Sequence, residues 1–197
     1  MVVELPERPN TNERKLRRLA ESLDVPEGYR VEILGGNIVV SPHGSSVHSI
    51  TMIQIAEQLG RQLPDEFERL VEYDVESADD HDYEPAPDVV VVPRPVVDED
   101  LPRVEADAVE MVVEIVSRGN WKTDHTTKTA VYARWNIPIY LLVDPREGST
   151  VLHHDPDPAR GEYQATHRQP YGATVELPDP LGGVRIDTSG FRLYKSR

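Results

Sequence analysis

Two short, almost purely apolar runs near the middle of the chain most constrain how it can fold. Val89–Val92 is four consecutive valines, and Val109–Val116 is apolar except for Glu110 and Glu114. Strands that are buried on both faces have this composition, because neither face meets water. The sequence therefore predicts a central sheet with buried middle strands.

The surrounding periodicities predict the other elements. Helical spacing of apolar residues indicates helices over Thr11–Leu23, with Thr11 as a cap, over about Ser46–Leu63 and over about Thr123–Trp135. Gly35-Gly36 supplies the positive φ angles of a tight hairpin. Further strands are predicted at Tyr29–Leu34, Asn37–Val40, Leu70–Glu76 and Ile139–Val143, with a Pro-rich connection over Arg94–Asp107 and a C-terminal β meander at Val151–His154, Glu162–His167, Ala173–Leu177 and Val184–Ile186. The order indicates an α/β or α+β fold with a mixed central sheet flanked by helices.

Length and composition narrow the class of protein. No internal repeat or second domain is visible, so residues 1–197 are expected to form one domain. No apolar run reaches the roughly 20 residues that span a bilayer, and the first residues do not resemble a secretion signal, so we expect a cytoplasmic protein. The absence of cysteine excludes disulfides, thiolate zinc sites and a cysteine nucleophile.

The charge distribution bears on nucleic-acid binding. The net charge of −14 argues against it, because Lys and Arg carry phosphate contacts. Residues 74–88 hold seven carboxylates and no Lys or Arg, whereas residues 118–134 hold four Lys or Arg residues and one acid. A local positive strip that includes Arg118, Lys122 and Arg134 is therefore a candidate contact for phosphates.

Asp88 and Glu114 are the acids with the clearest chemical meaning. Asp88 opens the valine strand and Glu114 lies inside the second apolar run, where a carboxylate is costly unless it is paired or bound to a metal. Two carboxylates on neighbouring strands can hold one Mg²⁺ ion, which polarises a phosphate and lowers the pKa of water. The alternatives are a turn residue for Asp88 and a salt bridge for Glu114.

Five segments of the chain carry a family resemblance: Tyr29–Pro42 with His48, Pro87–Val92, Val112–Ser117, Asp124-x-x-x-Lys128-x-x-x-Tyr132-Ala and Ile137–Pro145. Over about residues 29–144, they resemble the Uma-type restriction endonucleases of the PD-(D/E)xK superfamily. In order along the chain, they form a fairly specific set.

The resemblance implies a restriction-endonuclease-like fold and a metal-dependent endonuclease that cleaves DNA, as a homodimer, with Mg²⁺ (or Mn²⁺ in its place) and no organic cofactor or membrane partner. It implies metal ligands at Asp88, Glu114 and the Ile115 carbonyl, and a supporting acid at Glu32. The namesake lysine is missing, because Val116 stands two residues after Glu114. The family's relocated lysine corresponds to Lys128.

Several alternatives remain open at this level. Asp124 and Lys128 could form only an exposed pair of about 0.3–0.5 kcal/mol. Glu32 could lie on the solvent face of its hairpin, and His48 and Tyr132 could be ordinary interior residues. His153 and His154 do not predict a shared metal site, because adjacent strand residues point to opposite faces. An inactive nucleic-acid-binding module and an acidic DNA mimic are the alternative functions.

Overall fold

A six-stranded mixed sheet forms the centre of the protein in the computed structural model, which describes residues 13–119 and 121–195. In chain order, the strands are β1 (Tyr29–Leu34), β2 (Asn37–Pro42), β3 (Phe67–Val71), β4 (Val75–Glu76), β5 (Tyr83–Glu84), β6 (Val89–Pro93), β7 (Val104–Glu105), β8 (Met111–Ile115), β9 (Ile139–Asp144), β10 (Ser149–Asp157), β11 (Glu162–Pro170), β12 (Thr174–Glu176) and β13 (Arg185–Asp187). The helices are α1 (Glu13–Glu21), α2 (Ser46–Gln62), α3 (Arg94–Asp98) and α4 (Thr129–Arg134), the last continuing a π-helical segment, Thr123–Lys128.

The two apolar runs of the sequence are neighbouring central strands, as predicted. The order across the sheet is β11-β10-β9-β8-β6-β3, with β8 and β9 parallel and the other pairs antiparallel. Every residue of β8 and β9 is buried, as are the four valines of β6. This confirms the mixed central sheet.

Each face of the sheet packs against its own layer. On one face, Ile55 and Leu59 of α2 pack with Val89, Val91 and Val113, together with apolar residues of the β12–β13 ribbon. The opposite face packs against Val131 and Tyr132 of α4 and against Trp135, which directly follows this helix. Because alternate residues of a strand point to opposite faces, an unbroken apolar strand fits this two-sided core.

The N-terminal hairpin lies beside the central sheet as a second, three-stranded sheet of order β2-β1-β5. Gly35 and Gly36 have φ angles of 61° and 68°, which confirms the predicted tight turn between β1 and β2. Leu34 of β1 pairs with Tyr83 of β5. The hairpin is thus tied to the segment that leads directly into β6.

Several predicted elements differ from the structure. Leu70–Glu76 is not one strand: Glu72 has a φ of 49°, which ends β3, and β4 then pairs in parallel with β7 instead. The connection Arg94–Asp107 contains α3, β7 and the start of a 3₁₀ turn, Ala106–Ala108. In the predicted meander, β10 and β11 extend the central sheet, whereas β12 and β13 form a separate ribbon. The predicted cap Thr11 lies outside the described residues.

No helix within residues 13–119 and 121–195 is both long and apolar enough to cross a membrane.

Candidate active site

Asp88 and Glu114 meet because of the register between β6 and β8. Val89 is paired with Val113 in this antiparallel ladder, so the next position places Asp88 opposite Glu114. Directly opposed residues project to the same face with their Cβ atoms about 4.5–5.5 Å apart. Asp88 is 0% exposed and Glu114 is 1% exposed. The sheet therefore brings two fully buried carboxylates together, as the sequence predicted.

Asp88 is held by three groups from three elements. Its Oδ2 accepts a hydrogen bond of 2.6 Å from the Ile115 backbone N–H and lies 3.2 Å from Nε2 of His48 on α2. Its Oδ1 lies 3.3 Å from Nη1 of Arg30 on β1. Burial opposes ionisation of Asp88, but the contacts with His48, Arg30 and Ile115 lower its pKa below the ordinary value.

Glu114 and Glu32 share one lysine. The Lys128 Nζ lies 2.8 Å from Oε1 of Glu114 and 2.8 Å from Oε1 of Glu32. Glu32 also accepts a hydrogen bond of 3.0 Å from the Ala86 backbone N–H, and Glu114 accepts one of 2.6 Å from the Tyr132 hydroxyl. The lysine therefore joins the hairpin, the central sheet and the last helix at one point.

Two interpretations left open by the sequence are wrong. Glu32 is 4% exposed, so it faces this site and not solvent. Lys128 is 2% exposed and Asp124 is 6% exposed, with 3.9 Å between Nζ and Oδ1, so they do not form an exposed surface pair. The predicted stripe of the last helix does face inward, because Val131, Tyr132 and Trp135 are also buried.

The π-helical segment sets the position of Asp124 and Lys128. With its wider turn, the carbonyl of Asp124 accepts hydrogen bonds from the Thr129 hydroxyl at 3.1 Å and from the buried Tyr140 hydroxyl of β9 at 2.9 Å. Single π turns within helices are rare and recur at functional sites. Here the turn ties the helix to the central sheet beside the carboxylates.

A cavity of about 640 Å³ opens onto these groups. Its walls include Glu32, Lys128 and Asp124 from the site, Ile115 from the end of β8, and residues of the hairpin turn region. Arg118 and Tyr194 form another part of the wall. The cavity gives a substrate access to a site whose charged groups are otherwise buried.

Acidic side chains outnumber basic side chains in this site. Glu32, Asp88, Glu114 and Asp124 face the two permanent cations Arg30 and Lys128. Burial raises the pKa of Glu114 to about 8 and that of Asp124 to about 6, although Lys128 opposes both shifts. Burial would lower the pKa of Lys128, but Glu114, Glu32 and Asp124 outweigh it and raise that pKa, so the lysine keeps its charge.

The donor set fits a hard divalent cation. Within the described part of the chain, no group of three or more His, Asp or Glu side chains is placed to hold a metal. Mg²⁺, however, is commonly bound by one or two protein carboxylates together with waters and substrate phosphate. Asp88 and Glu114, which the register of β6 and β8 places opposite each other, are the two carboxylates that could hold such an ion.

The predicted phosphate-binding residues extend from the turn before the last helical run to its end and do not form one cluster. Arg118 lines the cavity, whereas Lys122 is not part of its wall and has its Nζ 5.6 Å from the centre of the Trp121 ring. Arg134 is twelve residues beyond Lys122, roughly 18 Å along a helix. It lies over the Tyr83 ring and 3.7 Å from Asp80.

Sequence reasoning missed the roles of Arg30, His48 and Tyr132 around the carboxylates. Arg30 lies two residues before Glu32 on β1, so the two side chains share one face of the strand. This spacing was visible in the sequence. His48 and Tyr132 were interpreted as ordinary interior residues, and both are buried, but their partners are Asp88 and Glu114. Burial opposes protonation of His48, yet its hydrogen bond to Asp88 prevails and raises its pKa.

Comparisons with known proteins agree with this architecture. The family model Uma2, described as "Putative restriction endonuclease", matches residues 15–189. Among solved structures, the chain is similar to the crystal structure of a "putative nuclease belonging to DUF820" from Anabaena variabilis ATCC 29413, with a TM-score of 0.66 and 19% sequence identity. That match covers 83% of this chain and 88% of the other, and it confirms the predicted fold. No match was found among curated proteins.

Proposed function

Because the chain belongs to the Uma2 family, we propose that it is a metal-dependent endonuclease that hydrolyses phosphodiester bonds in DNA. The observation that supports this most directly is the contact of Lys128 with both Glu32 and Glu114, beside Asp88 and at the wall of a cavity. A fully buried lysine among three carboxylates is costly to maintain, and such perturbed groups cluster at functional sites.

Each group in the site has a distinct role in the proposed reaction. Asp88 and Glu114, with the Ile115 carbonyl, would hold Mg²⁺ or Mn²⁺. When bound, the ion polarises the phosphate and lowers the pKa of water. Lys128 directs a fixed positive charge toward the negative charge that develops on the phosphate in the transition state. Glu32 keeps the lysine in position from the hairpin side.

The groups around the metal ligands position them. Arg30 and His48 fix the two oxygens of Asp88, and Tyr132 fixes Glu114. Burial next to Glu114 raises the pKa of Tyr132, which therefore stays protonated and donates its hydrogen bond. Arg118 and Lys122, and at the far end of the helix Arg134, are the proposed contacts to the DNA backbone. A homodimer would let two such sites act on the two strands.

The first experiment measures metal binding and cleavage in the same variants. In calorimetric titration, Mn²⁺ should bind the wild type but not Asp88→Asn or Glu114→Gln, because an amide lacks the charge that a hard cation needs. The same two variants should lose cleavage of supercoiled plasmid, single-stranded DNA and duplex DNA in Mg²⁺. Cleavage of RNA of the same sequence tests whether the protein distinguishes ribose from deoxyribose.

Glu110→Gln is the matched control. Glu110 immediately precedes β8, four residues before Glu114, and is only half-buried. The Glu110→Gln substitution makes the same chemical change in the same part of the chain but outside the site, so metal binding and cleavage should persist. Equal Mn²⁺ binding by the wild type, Asp88→Asn and Glu114→Gln would refute the metal site.

A further inference from the structure

Trp121 stands exposed at the start of the last helical run, directly before the π-helical segment. Its exposed fraction is 40%, whereas Trp135, the other of the two tryptophans, is 9% exposed and donates its Nε1–H to Asp80 at 3.2 Å. Tryptophan carries a large apolar surface, which is more often covered by protein. Part of the Trp121 side chain therefore faces solvent.

Cationic side chains surround this ring. The guanidinium carbon of Arg146 lies 4.8 Å from the ring centre, and Lys122 Nζ lies 5.6 Å from it. Arg146 is anchored, because its Nη2 lies 2.8 Å from Oδ2 of Asp144. Lys122 has a flexible side chain whose ammonium lies farther from the ring centre. A base that stacks on the ring can therefore displace this ammonium, which can then contact a phosphate.

A second aromatic and cationic pair lies on the cavity wall nearby. The guanidinium of Arg118 is 4.8 Å from the centre of the Tyr194 ring, and both residues line the 640 Å³ cavity. Thr123, two residues after Trp121, lines the same cavity. Aromatic rings and positive charge thus lie together on the cavity wall, at Arg118 and Tyr194, and outside that wall, at Trp121, in a protein of net charge −14.

This combination is typical of surfaces that bind single-stranded nucleic acid. Such surfaces pair a positive groove for the backbone with aromatic side chains on which unpaired bases stack. Within a duplex, each base is stacked between its neighbours and cannot offer its face to a side chain unless it is flipped out. A stacking tryptophan therefore selects strands with an unpaired base.

The spacing along the helix relates Trp121 to the candidate active site. Trp121 precedes Lys128 by seven residues, at most roughly 10 Å along the helix axis, since the π-helical turns between them are wider than α-helical ones. Stacked nucleotides advance roughly 3.4 Å along one strand, so this is about three nucleotides. A base on Trp121 and a phosphate beside Lys128 can belong to one strand.

Resting on the nuclease function proposed above, we infer that Trp121 is a stacking platform for an unpaired base of the DNA strand whose phosphate occupies the cavity. Lys122 and Arg118 contact the phosphates between the two points. The preferred substrate is consequently DNA with a single-stranded segment next to the cleaved bond, and not uninterrupted duplex.

The test measures binding in chelator, where no metal-dependent cleavage can occur. Oligothymidylate should quench the tryptophan fluorescence of the wild type, whereas a blunt duplex of equal length should quench it little. Trp121→Phe retains only Trp135 as a fluorophore and should show no quenching. By fluorescence anisotropy, Trp121→Ala should weaken oligothymidylate binding about tenfold or more, and Trp121→Phe should retain most of the affinity, because a ring remains.

Ile53→Ala is the control for removing an exposed apolar side chain elsewhere. Ile53 is 47% exposed on α2, and its replacement should leave binding unchanged. Unchanged affinity in Trp121→Ala would overturn the inference. Equal quenching by the duplex would also overturn it. If replacing Trp121 changed sedimentation but not DNA binding, the inference would fail, and the surface would be assigned to contact between copies of the chain.

The two proposals can fail separately. Quenching by oligothymidylate in chelator, with no cleavage of any nucleic acid in Mg²⁺ or Mn²⁺, would refute the nuclease and leave the stacking site intact. Metal-dependent cleavage that is identical in the wild type and Trp121→Ala on single-stranded and duplex substrates would refute the stacking site alone.

Discussion

At the scale of single residues, Lys128 determines how the candidate site is held together. Its ammonium lies equally close to Glu32 from the hairpin and to Glu114 from the central sheet. Removing one partner from a buried ion pair leaves an uncompensated charge, which typically costs about 3–5 kcal/mol. An exposed pair at this helical spacing would contribute only about 0.3–0.5 kcal/mol. The two cases are therefore easy to separate by mutation.

Lys128→Met is expected to reduce both turnover and stability. Turnover should fall about 100-fold, the scale of losing one preorganised electrostatic donor, while Mn²⁺ binding persists because Asp88 and Glu114 remain. In chelator, the free energy of unfolding should fall by about 3–5 kcal/mol. Single-turnover cleavage and urea denaturation measure the two effects.

Asp124→Asn is the comparison for that experiment. Its Oδ1 is 3.9 Å from the lysine, farther than the oxygens of Glu32 and Glu114, so its replacement should affect turnover much less. Full activity in Lys128→Met, together with lost activity in Glu114→Gln, would show that the carboxylates act without the lysine.

The sequence could identify some of these residues and not others, for a physical reason. Asp88 and Glu114 were predictable because a carboxylate in an apolar strand has few stable environments. The burial of Lys128 was not predictable from the spacing to Asp124, because that spacing is the same whether the helix face meets solvent or a sheet. The contacts of His48 and Arg30 with Asp88 depend on how distant elements pack.

At the scale of elements, hydrophobic pattern predicted the strands and helices that carry the core. The valine run, the Gly35-Gly36 hairpin and the α2 stripe all appear where expected, because each pattern has one periodicity and clear ends. The break between β3 and β4 was missed, since it depends on the positive φ of a single glutamate. The π turn was also missed, because its inward stripe resembles that of an α-helix.

The hydrogen bond from the Tyr140 hydroxyl to the Asp124 carbonyl connects β9 to the π-helical segment. Tyr140→Phe should reduce the free energy of unfolding by about 0.5–1.5 kcal/mol, the usual contribution of one such bond. Amide exchange should accelerate in residues 123–128. Because small displacements of catalytic groups are costly, cleavage should also slow by about tenfold or more.

Tyr163→Phe is the matched control for loss of the Tyr140 hydrogen bond. The Tyr163 hydroxyl donates a bond of the same length, 2.9 Å, to the carbonyl of Ile137, away from the carboxylates. Its loss should cost similar stability without slowing cleavage or exposing residues 123–128. Equal slowing of cleavage in both variants would show that the π turn does not depend on Tyr140.

At the scale of the whole molecule, the acidic segment 74–88 is balanced by arginines from other parts of the chain. Arg17 pairs with Glu76 and Glu84, Arg103 pairs with Glu84, and Arg30 pairs with Asp88. These pairs join α1, the hairpin and the connection before β8 to one loop. The sequence showed the excess of acid but not these partners, which only the fold brings near.

Asp74 remains poorly compensated within this segment. It lines a small cavity of about 180 Å³ with Glu21, Glu84 and Arg103. Burial, with nearby Glu84, raises its pKa to about 6, although Arg103 opposes the shift. An aspartate in the unfolded chain titrates near pH 4, so the folded state holds this proton more firmly. Asp74 therefore favours folding below about pH 4, and this contribution is lost as pH rises through about 6.

Asp74→Asn is accordingly expected to stabilise the protein at neutral pH. A difference of about two pKa units corresponds to nearly 3 kcal/mol, which partial exposure reduces to about 1–2 kcal/mol. Urea denaturation at a series of pH values should show this gain at pH 7 and its disappearance toward pH 4, where the native carboxyl is also neutral. Asp79→Asn, an exposed change in the same acidic segment, should alter stability by less than about 0.5 kcal/mol at any pH. A gain in Asp74→Asn that does not vary with pH would mean that the amide makes a new contact, and that ionisation of Asp74 does not oppose folding.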